Sequence, residues 1–207
     1  MKKILRNIYG KIRINKSLFI FLLIIVIIGV GAGSFFSLIM DNNDKELVTT
    51  YLTNFFNSIK DGKLNYDTTF TSTLIFTLGF ALFIWLLGIS VIGFFVIIVL
   101  LFLKAFVLGF VSSNIIINYK FKGIVFDFVY LFPHQIINMM IFILISAYAL
   151  MVSYKLIDAI TKKKVLDFKN IINKFLFILI FSSIVLIFTS LYEVYVVPRL
   201  LSIILKI

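Results

Sequence analysis

The chain has 207 residues, of which 62% are hydrophobic and 14% are charged, and its mean hydropathy is +1.14. A soluble domain of this length cannot bury so much apolar surface, and the long unbroken apolar runs exclude β-barrel strands, which alternate in polarity. The net charge of +11 is clustered beside the apolar runs, so it indicates membrane topology and contact with lipids rather than nucleic-acid binding. We therefore expect one all-α domain, residues 1–207, that spans a membrane several times.

The first predicted span runs from Leu18 to Met40, which is long enough to cross ~30 Å of hydrocarbon. Residues 1–16 carry six basic and no acidic side chains, so we expect this basic segment to be cytoplasmic. The run is too long for the core of a cleaved signal peptide, which favours an uncleaved signal anchor. Gly29 and Gly33 share a helix face and predict a close helix contact, within the bundle or in a homo-oligomer.

Residues 41–73 form a polar stretch with a net charge of −2, which indicates the extracytoplasmic side. Asp44 is the predicted N-cap of a helix and Gly62 its stop. Apolar side chains recur between them at three- and four-residue spacing, which predicts an amphipathic helix. Its apolar face rests on the membrane or the bundle, or it docks a partner through Leu47, Tyr51, Phe55 and Ile59.

Residues 74–113 contain one charged side chain, Lys104, and are too long for a single crossing. We expect spans two and three over 73–89 and 92–113, joined by a tight reversal between Gly88 and Gly93. A short polar loop over 114–123 is expected outside, although its two lysines run against the positive-inside rule.

Span four is predicted over 124–154, with Pro133 separating a short re-entrant or interfacial helix from the full crossing that starts at His134. The basic segment 155–174 is expected in the cytoplasm. Span five then covers 175–197 and ends at Pro198, leaving a short apolar tail outside. The count is five spans, with the N-terminus inside and the C-terminus outside.

Residues capable of catalysis are scarce. The chain has one histidine, His134, no cysteine and no GxSxG sequence, so we expect no enzyme activity, no metal site and no cofactor. The intramembrane polar residues are the remaining candidates, namely Lys104, Asp127, His134, Gln135 and Asn138. Three roles stay open for Lys104: a structural pair with Asp127, snorkelling, or transport. Glu193 lies near the end of span five and is either a further counter-ion or interfacial.

Three stretches in order carry a resemblance to a known family: residues 84–93, residues 102–110, and Leu-Phe-Pro-His-Gln-Ile-Ile-Asn at 131–138. With the span order, they resemble the stage II sporulation protein M family of integral membrane proteins over most of residues 15–197. Relatives outside sporulation often carry Pro-His-Gly-x-x-Glu at the helix break, where this chain has Gln135 and Asn138.

The resemblance implies a non-catalytic scaffold in engulfment of the forespore, located in the septal membrane. The implied partners are peptidoglycan hydrolases similar to stage II sporulation proteins D and P. A different class of function also stays open, a permease-like subunit that works with a separate ATPase.

Overall fold

A computed structural model describes residues 16–162 and 168–205, and the regular secondary structure in these ranges is entirely helical. Most of the predicted basic segment 1–16 and the middle of the predicted loop 155–174 lie outside the described residues. The helices are α1 (Lys16–Ile39), α2 (Asn42–Lys60), α3 (Tyr66–Gly88), α4 (Gly93–Tyr130), α5 (Phe132–Lys162), α6 (Phe168–Leu191) and α7 (Val197–Leu205), with a π-helical turn over Tyr192–Val196 between the last two. The predicted all-α class is confirmed.

Five helical stretches are long and apolar enough to cross a membrane, which confirms the predicted number. Large apolar side chains cover their outer surface; Phe76 is 77% exposed and Phe95 is 73% exposed. Such side chains have a favourable environment only where lipid is the solvent. The spans are α1, α3, α4, α5 and the stretch from α6 to α7.

Helix α5 lies at the centre of the bundle. In its most apolar window 72% of residues are buried, against 17% to 22% in the other four spans. It contacts α1, α3, α4 and α6, and its buried side chains include Phe142, Ile145 and Leu150. A helix that is apolar on all sides is expected in this position, because protein rather than lipid covers most of its circumference.

Helices α1 and α4 pack in parallel along a seam of small residues. Gly29 lies against Phe102 and Ala105, while Gly33 lies against Phe106 and Phe110. The residue numbers therefore increase in the same direction along both helices. The seam is so close that the Ser34 hydroxyl donates to the Gly109 carbonyl, at 3.1 Å. The predicted glycine contact is therefore made within the chain, and α4 occupies the surface that a homo-oligomer would need.

The reversal between α3 and α4 occurs where it was predicted, between Gly88 and Gly93. A Cβ atom on Gly93 would lie 1.8 Å from the Leu87 carbonyl oxygen, so the turn requires glycine. The Ser153 hydroxyl on α5 lies 3.0 Å from the Gly88 carbonyl and 2.9 Å from the Ser90 carbonyl. Carbonyls left free by the reversal thus have a buried partner, as backbone in an apolar environment requires.

The predicted loop over 114–123 is wrong, because α4 remains helical up to a single reversal at Lys120, whose φ is 49°. Ser112 and Asp127 would lie ~22 Å apart on a straight helix. Their side chains instead share a hydrogen bond of 2.7 Å, so residues 121–130 fold back along α4. This returning segment is the short helix predicted before Pro133, and the chain turns again at Leu131 to enter α5.

Two further boundaries differ from expectation. Pro198 does not end span five, because the helix continues from the π-helical turn through α7, and Pro198 lies directly after the turn, where the helix is already irregular. The predicted apolar tail is therefore helical through Leu205 and buries Val197 and Leu201. At the basic segment 155–174, α5 continues to Lys162 and α6 begins at Phe168, so much of this segment is helix.

The seam between α1 and α4 makes a stability prediction. In Gly33→Ala the new Cβ would lie 2.0 Å from the Phe106 carbonyl oxygen, which forces the two helices apart. We expect a loss of about 1–3 kcal/mol, measured as a lower unfolding temperature of the purified protein in detergent. Gly31→Ala is the matched control, since its Cβ meets nothing within 4 Å. Equal stability of the two variants would contradict the close seam.

The absence of cysteine makes the predicted orientation directly testable. Asn57 on α2 and Lys155 near the end of α5 are both exposed. In intact cells, a membrane-impermeant maleimide should label Asn57→Cys, whereas Lys155→Cys should react only after permeabilisation. The reverse labelling pattern would place the N-terminus outside.

Candidate functional site

The polar side chains within the spans converge near one end of the bundle, the end at which α2 lies, called here the α2 end. Lys104 of α4 has its Nζ 5.6 Å from the centre of the Phe80 ring and 5.8 Å from that of Phe142. Both distances are within the range of a cation–π contact. Glu193, in the π-helical turn, is the acidic residue that lines the same cavity as Lys104.

The predicted pair between Lys104 and Asp127 is not formed, although both residues lie in the described part of the chain. Asp127 lies on the returning segment of α4 and accepts a hydrogen bond from the Ser112 hydroxyl. The reason is the reversal at Lys120, which carries Asp127 back along α4 only as far as Ser112. Glu193 lies in the π-helical turn beside His134, and it lines the same cavity as Lys104.

Residues His134 and Asn138 lie one turn apart on the buried face of α5. The His134 side chain is 1% exposed, and its Nε2 lies 3.5 Å from the Glu193 carboxylate. Its ring lies 6.3 Å from that of Tyr130 and 6.4 Å from that of Tyr192. Asn138 accepts a hydrogen bond from the Thr189 hydroxyl of α6.

The surroundings of His134 are mostly apolar. Neither ring nitrogen has a hydrogen-bond partner among the described residues. His134 therefore makes no hydrogen bond to the backbone at the helix break or to a hydroxyl group. It also lines an apolar cleft of about 300 Å³ between α5 and α6.

Two cavities lie between the helices, one mainly polar and one mainly apolar. The Lys104 cavity has a volume of about 210 Å³ and is lined by Ser72, Thr73, Phe76, Thr77, Lys104, Gln135, Asn138, Phe142 and Glu193. The Tyr66 cavity has a volume of about 140 Å³ and is lined by Phe55, Leu64, Tyr66, Thr69, Thr73, Tyr130, Glu193, Val194 and Pro198. Thr73 and Glu193 belong to both linings, so the two cavities adjoin.

Threonines line both cavities along α3. Thr69, Thr73 and Thr77 are spaced by four residues and share one helix face. The sequence prediction missed them because it began span two at residue 73, whereas α3 begins at Tyr66. Their spacing was the available signal, since three hydroxyls on one face of a span are unusual in an apolar helix.

The apolar side chains of α2 point in two directions, some into the bundle and some away from it. Phe56 and Ile59 are 3% and 4% exposed and pack into a cluster with Phe126 and Leu201, and Phe55 is half-buried against Tyr130. Leu47 and Tyr51 point away from the bundle and are 59% and 75% exposed. Of the four predicted docking residues, Ile59 is thus occupied by the protein itself, and only Leu47 and Tyr51 offer open surface.

The two ends of α2 and one side-chain hydrogen bond fix the position of this helix. Gly62 has a φ of +66° just past the helix, which confirms it as the stop, whereas the predicted N-cap Asp44 lies inside the first turn, which begins at Asn42. The Thr49 hydroxyl also bonds to the Asn118 side chain, at 2.8 Å, so α2 is attached to the reversal of α4.

The comparisons with known proteins identify the family. The profile described as stage II sporulation protein M matches residues 18–198, which is most of the chain. The chain belongs to this family. No curated protein and no solved structure matches it.

The carboxylate next to His134 comes from the turn that faces α5. It belongs to Glu193, whereas α5 itself carries the uncharged Asn138 one turn after His134. Within residues 16–162 and 168–205, no three His, Asp or Glu side chains come together as metal ligands do.

Lys104 and Glu193 line one cavity with opposite charges, which predicts a charge-swap rescue. Lys104→Glu places two carboxylates at one cavity and should lower the unfolding temperature of the purified protein, as should Glu193→Lys alone. The double variant Lys104→Glu/Glu193→Lys should recover stability, with an interaction energy of roughly 0.5–3 kcal/mol.

The matched control combines Lys104→Glu with Asp127→Lys. Because Asp127 bonds to Ser112 and not to Lys104, this combination should show no recovery. If stability recovers with Asp127→Lys and does not recover with Glu193→Lys, the result supports the Lys104–Asp127 pair that was predicted from the sequence.

Proposed function

We propose that this protein is a non-catalytic membrane scaffold of a sporulation engulfment complex, which recruits peptidoglycan hydrolases to the septal membrane. Family membership supports the sporulation role. The observation that carries the docking mechanism is the open pair Leu47 and Tyr51 on a helix fixed to the bundle. The partners proposed are hydrolases similar to stage II sporulation proteins D and P.

The attachment of α2 supports a docking role because a rigid surface loses little conformational entropy on binding. Phe56 and Ile59 anchor one side of α2, and the bond from Thr49 to Asn118 holds the same side nearer its start. The opposite side then presents Leu47 and Tyr51 in a defined direction. Exposed tyrosine is also among the residues that contribute most to protein interfaces.

The site chemistry supports a non-enzymatic role. In the described residues, His134 is buried without a hydrogen-bond partner, so no hydroxyl group is hydrogen-bonded to it as a nucleophile would be to its base. Lys104 and Glu193 line a cavity but have no activated nucleophile between them. A scaffold needs surfaces rather than an activated group, and surfaces are what α2 provides.

A permease-like subunit that works with a separate ATPase is the second candidate. The observation that favours it is the Lys104 cavity, because a transport path needs polar groups inside the membrane. A neighbouring gene for an ATP-binding cassette protein would favour transport, and neighbouring sporulation genes would favour the scaffold.

The docking surface predicts the outcome of a pull-down experiment. Tyr51→Glu, alone or with Leu47→Glu, places a charge in the proposed contact and should abolish most co-purification of the hydrolases. The bundle should be unaffected because both side chains point away from it. Retention of the hydrolases at normal protein levels would overturn the docking mechanism.

Thr53→Glu is the matched control. Thr53 is exposed on the same helix but lies about 160° around it from Tyr51, at 100° per residue. Hydrolase recruitment should be unchanged in this variant, which separates a specific contact from a general effect of negative charge on α2.

A further inference from the structure

The proposed scaffold function does not use the Lys104 cavity. It contains one side chain of each charge, Lys104 and Glu193, inside a protein whose spans are otherwise almost uncharged. Both residues lie in the described part of the chain, and no N–O contact of 4.0 Å or less joins them. Taking two charges out of water is expensive, and the cost is recovered only where each has a partner.

The cavity is connected to the α2 end of the bundle. The Tyr66 cavity adjoins it at Thr73 and Glu193 and extends to Leu64 and Phe55, at the junction of α2 and α3. Thr69, Thr73 and Thr77 lie one turn apart along this route, so a polar solute meets a hydroxyl at every step. Glu193 stands at the point where the two cavities meet.

The charge pattern selects the class of ligand. An anion near Lys104 would be repelled by Glu193, and a cation near Glu193 would be repelled by Lys104. A molecule with both an ammonium and anionic oxygens satisfies both residues at once. The amides of Gln135 and Asn138, together with the Thr77 hydroxyl, provide further donors and acceptors in the same lining.

The volume of the Lys104 cavity limits the size of the ligand that it can hold. About 210 Å³ corresponds to the liquid volume of roughly seven water molecules. This space holds a free amino acid with a small side chain, or the head of an aminophospholipid whose acyl chains remain outside. Phe76 lines the cavity and is 77% exposed on the lipid-facing surface, so a headgroup has a lateral way in.

We propose that the Lys104 cavity binds a small zwitterion, with its anionic oxygens at Lys104 and its ammonium at Glu193. The proposal is independent of hydrolase docking, because the cavity lies inside the bundle and Leu47 and Tyr51 lie on its outside. A free amino acid and a phosphatidylethanolamine headgroup share the required chemistry, and the experiment separates them.

The test uses the full chain in nanodiscs of phosphatidylcholine, whose quaternary ammonium offers no hydrogen-bond donor. One arm measures binding of radiolabelled alanine and its displacement by propionate and by ethylamine, each of which lacks one of the two charges. Both analogues should compete at least about tenfold more weakly than unlabelled alanine, since each loses a charge-assisted contact. The other arm adds phosphatidylethanolamine and uses native mass spectrometry to compare its retention with that of phosphatidylcholine.

Substitutions of the two charged cavity residues test whether the ligand binds in the Lys104 cavity. Lys104→Met and Glu193→Gln should each weaken binding of the retained zwitterion by about tenfold or more. Lys63→Met and Asp61→Asn are the matched controls, because this exposed pair lies outside the spans, and binding should stay within about twofold. Binding that survives both cavity substitutions would place the ligand elsewhere and overturn the proposal.

The wild-type protein decides the question even if a cavity variant fails to fold. Saturable alanine binding with weak competition by both analogues supports a free amino acid, and selective retention of phosphatidylethanolamine supports a headgroup. Equal competition by alanine, propionate and ethylamine overturns the zwitterion. The absence of binding in both arms also overturns the proposal, since water alone would then fill the cavity.

Discussion

A helix inside a lipid bilayer satisfies its own backbone, so every irregular turn at that depth must be buried in protein or line a cavity. This protein has three irregular turns near the α2 end: the reversal at Lys120, the corner at Leu131 and the π-helical turn over Tyr192–Val196. The rings of Tyr130, His134 and Tyr192 bring the second and third together. These three turns thus lie together beside the Lys104 and Tyr66 cavities, whereas the reversal between Gly88 and Gly93 is bonded separately by Ser153.

The same constraint explains the position of α2. Phe56 packs against Tyr119 and Phe126, at 5.1 and 5.3 Å between ring centres, and these two residues flank the Lys120 reversal. Lys120 is the one described residue other than glycine with a positive φ, a conformation that the surroundings must hold in place. By covering the reversal, α2 is fixed on one side, and its other side is left with Leu47 and Tyr51.

The sequence predicted what depends on local composition. The apolar runs and the lysine clusters predicted five spans, Gly88 and Gly93 predicted the first reversal, and Pro133 predicted the short helix before α5. Errors arose where polarity was taken as a sign of a loop. Asn114 and Asn118 bond to carbonyls one turn earlier and therefore sit comfortably in a helix, so their segment is not a loop.

The site was harder to predict than the fold because its partners are distant in sequence. Asp127 was expected to pair with Lys104 because it is the next acidic residue along the chain, whereas the packing of α4, α5 and the π-helical turn brings Glu193 into the same cavity lining as Lys104. The cavities are likewise a product of packing. Thr69 lay before the predicted start of span two at residue 73, so its alignment with Thr73 and Thr77 was hidden.

The parallel seam between α1 and α4 has a consequence for the order of membrane insertion. Ser34 and Gly109, which meet in the seam, are separated by 75 residues. At about 5–20 residues per second, roughly 4–15 s pass between the synthesis of one and the other. During that interval the glycine face of α1 has only lipid or the translocation machinery beside it, while α3 crosses back. The first span therefore enters the membrane early but acquires its native neighbour late, and biogenesis depends on keeping that face vacant until α4 arrives.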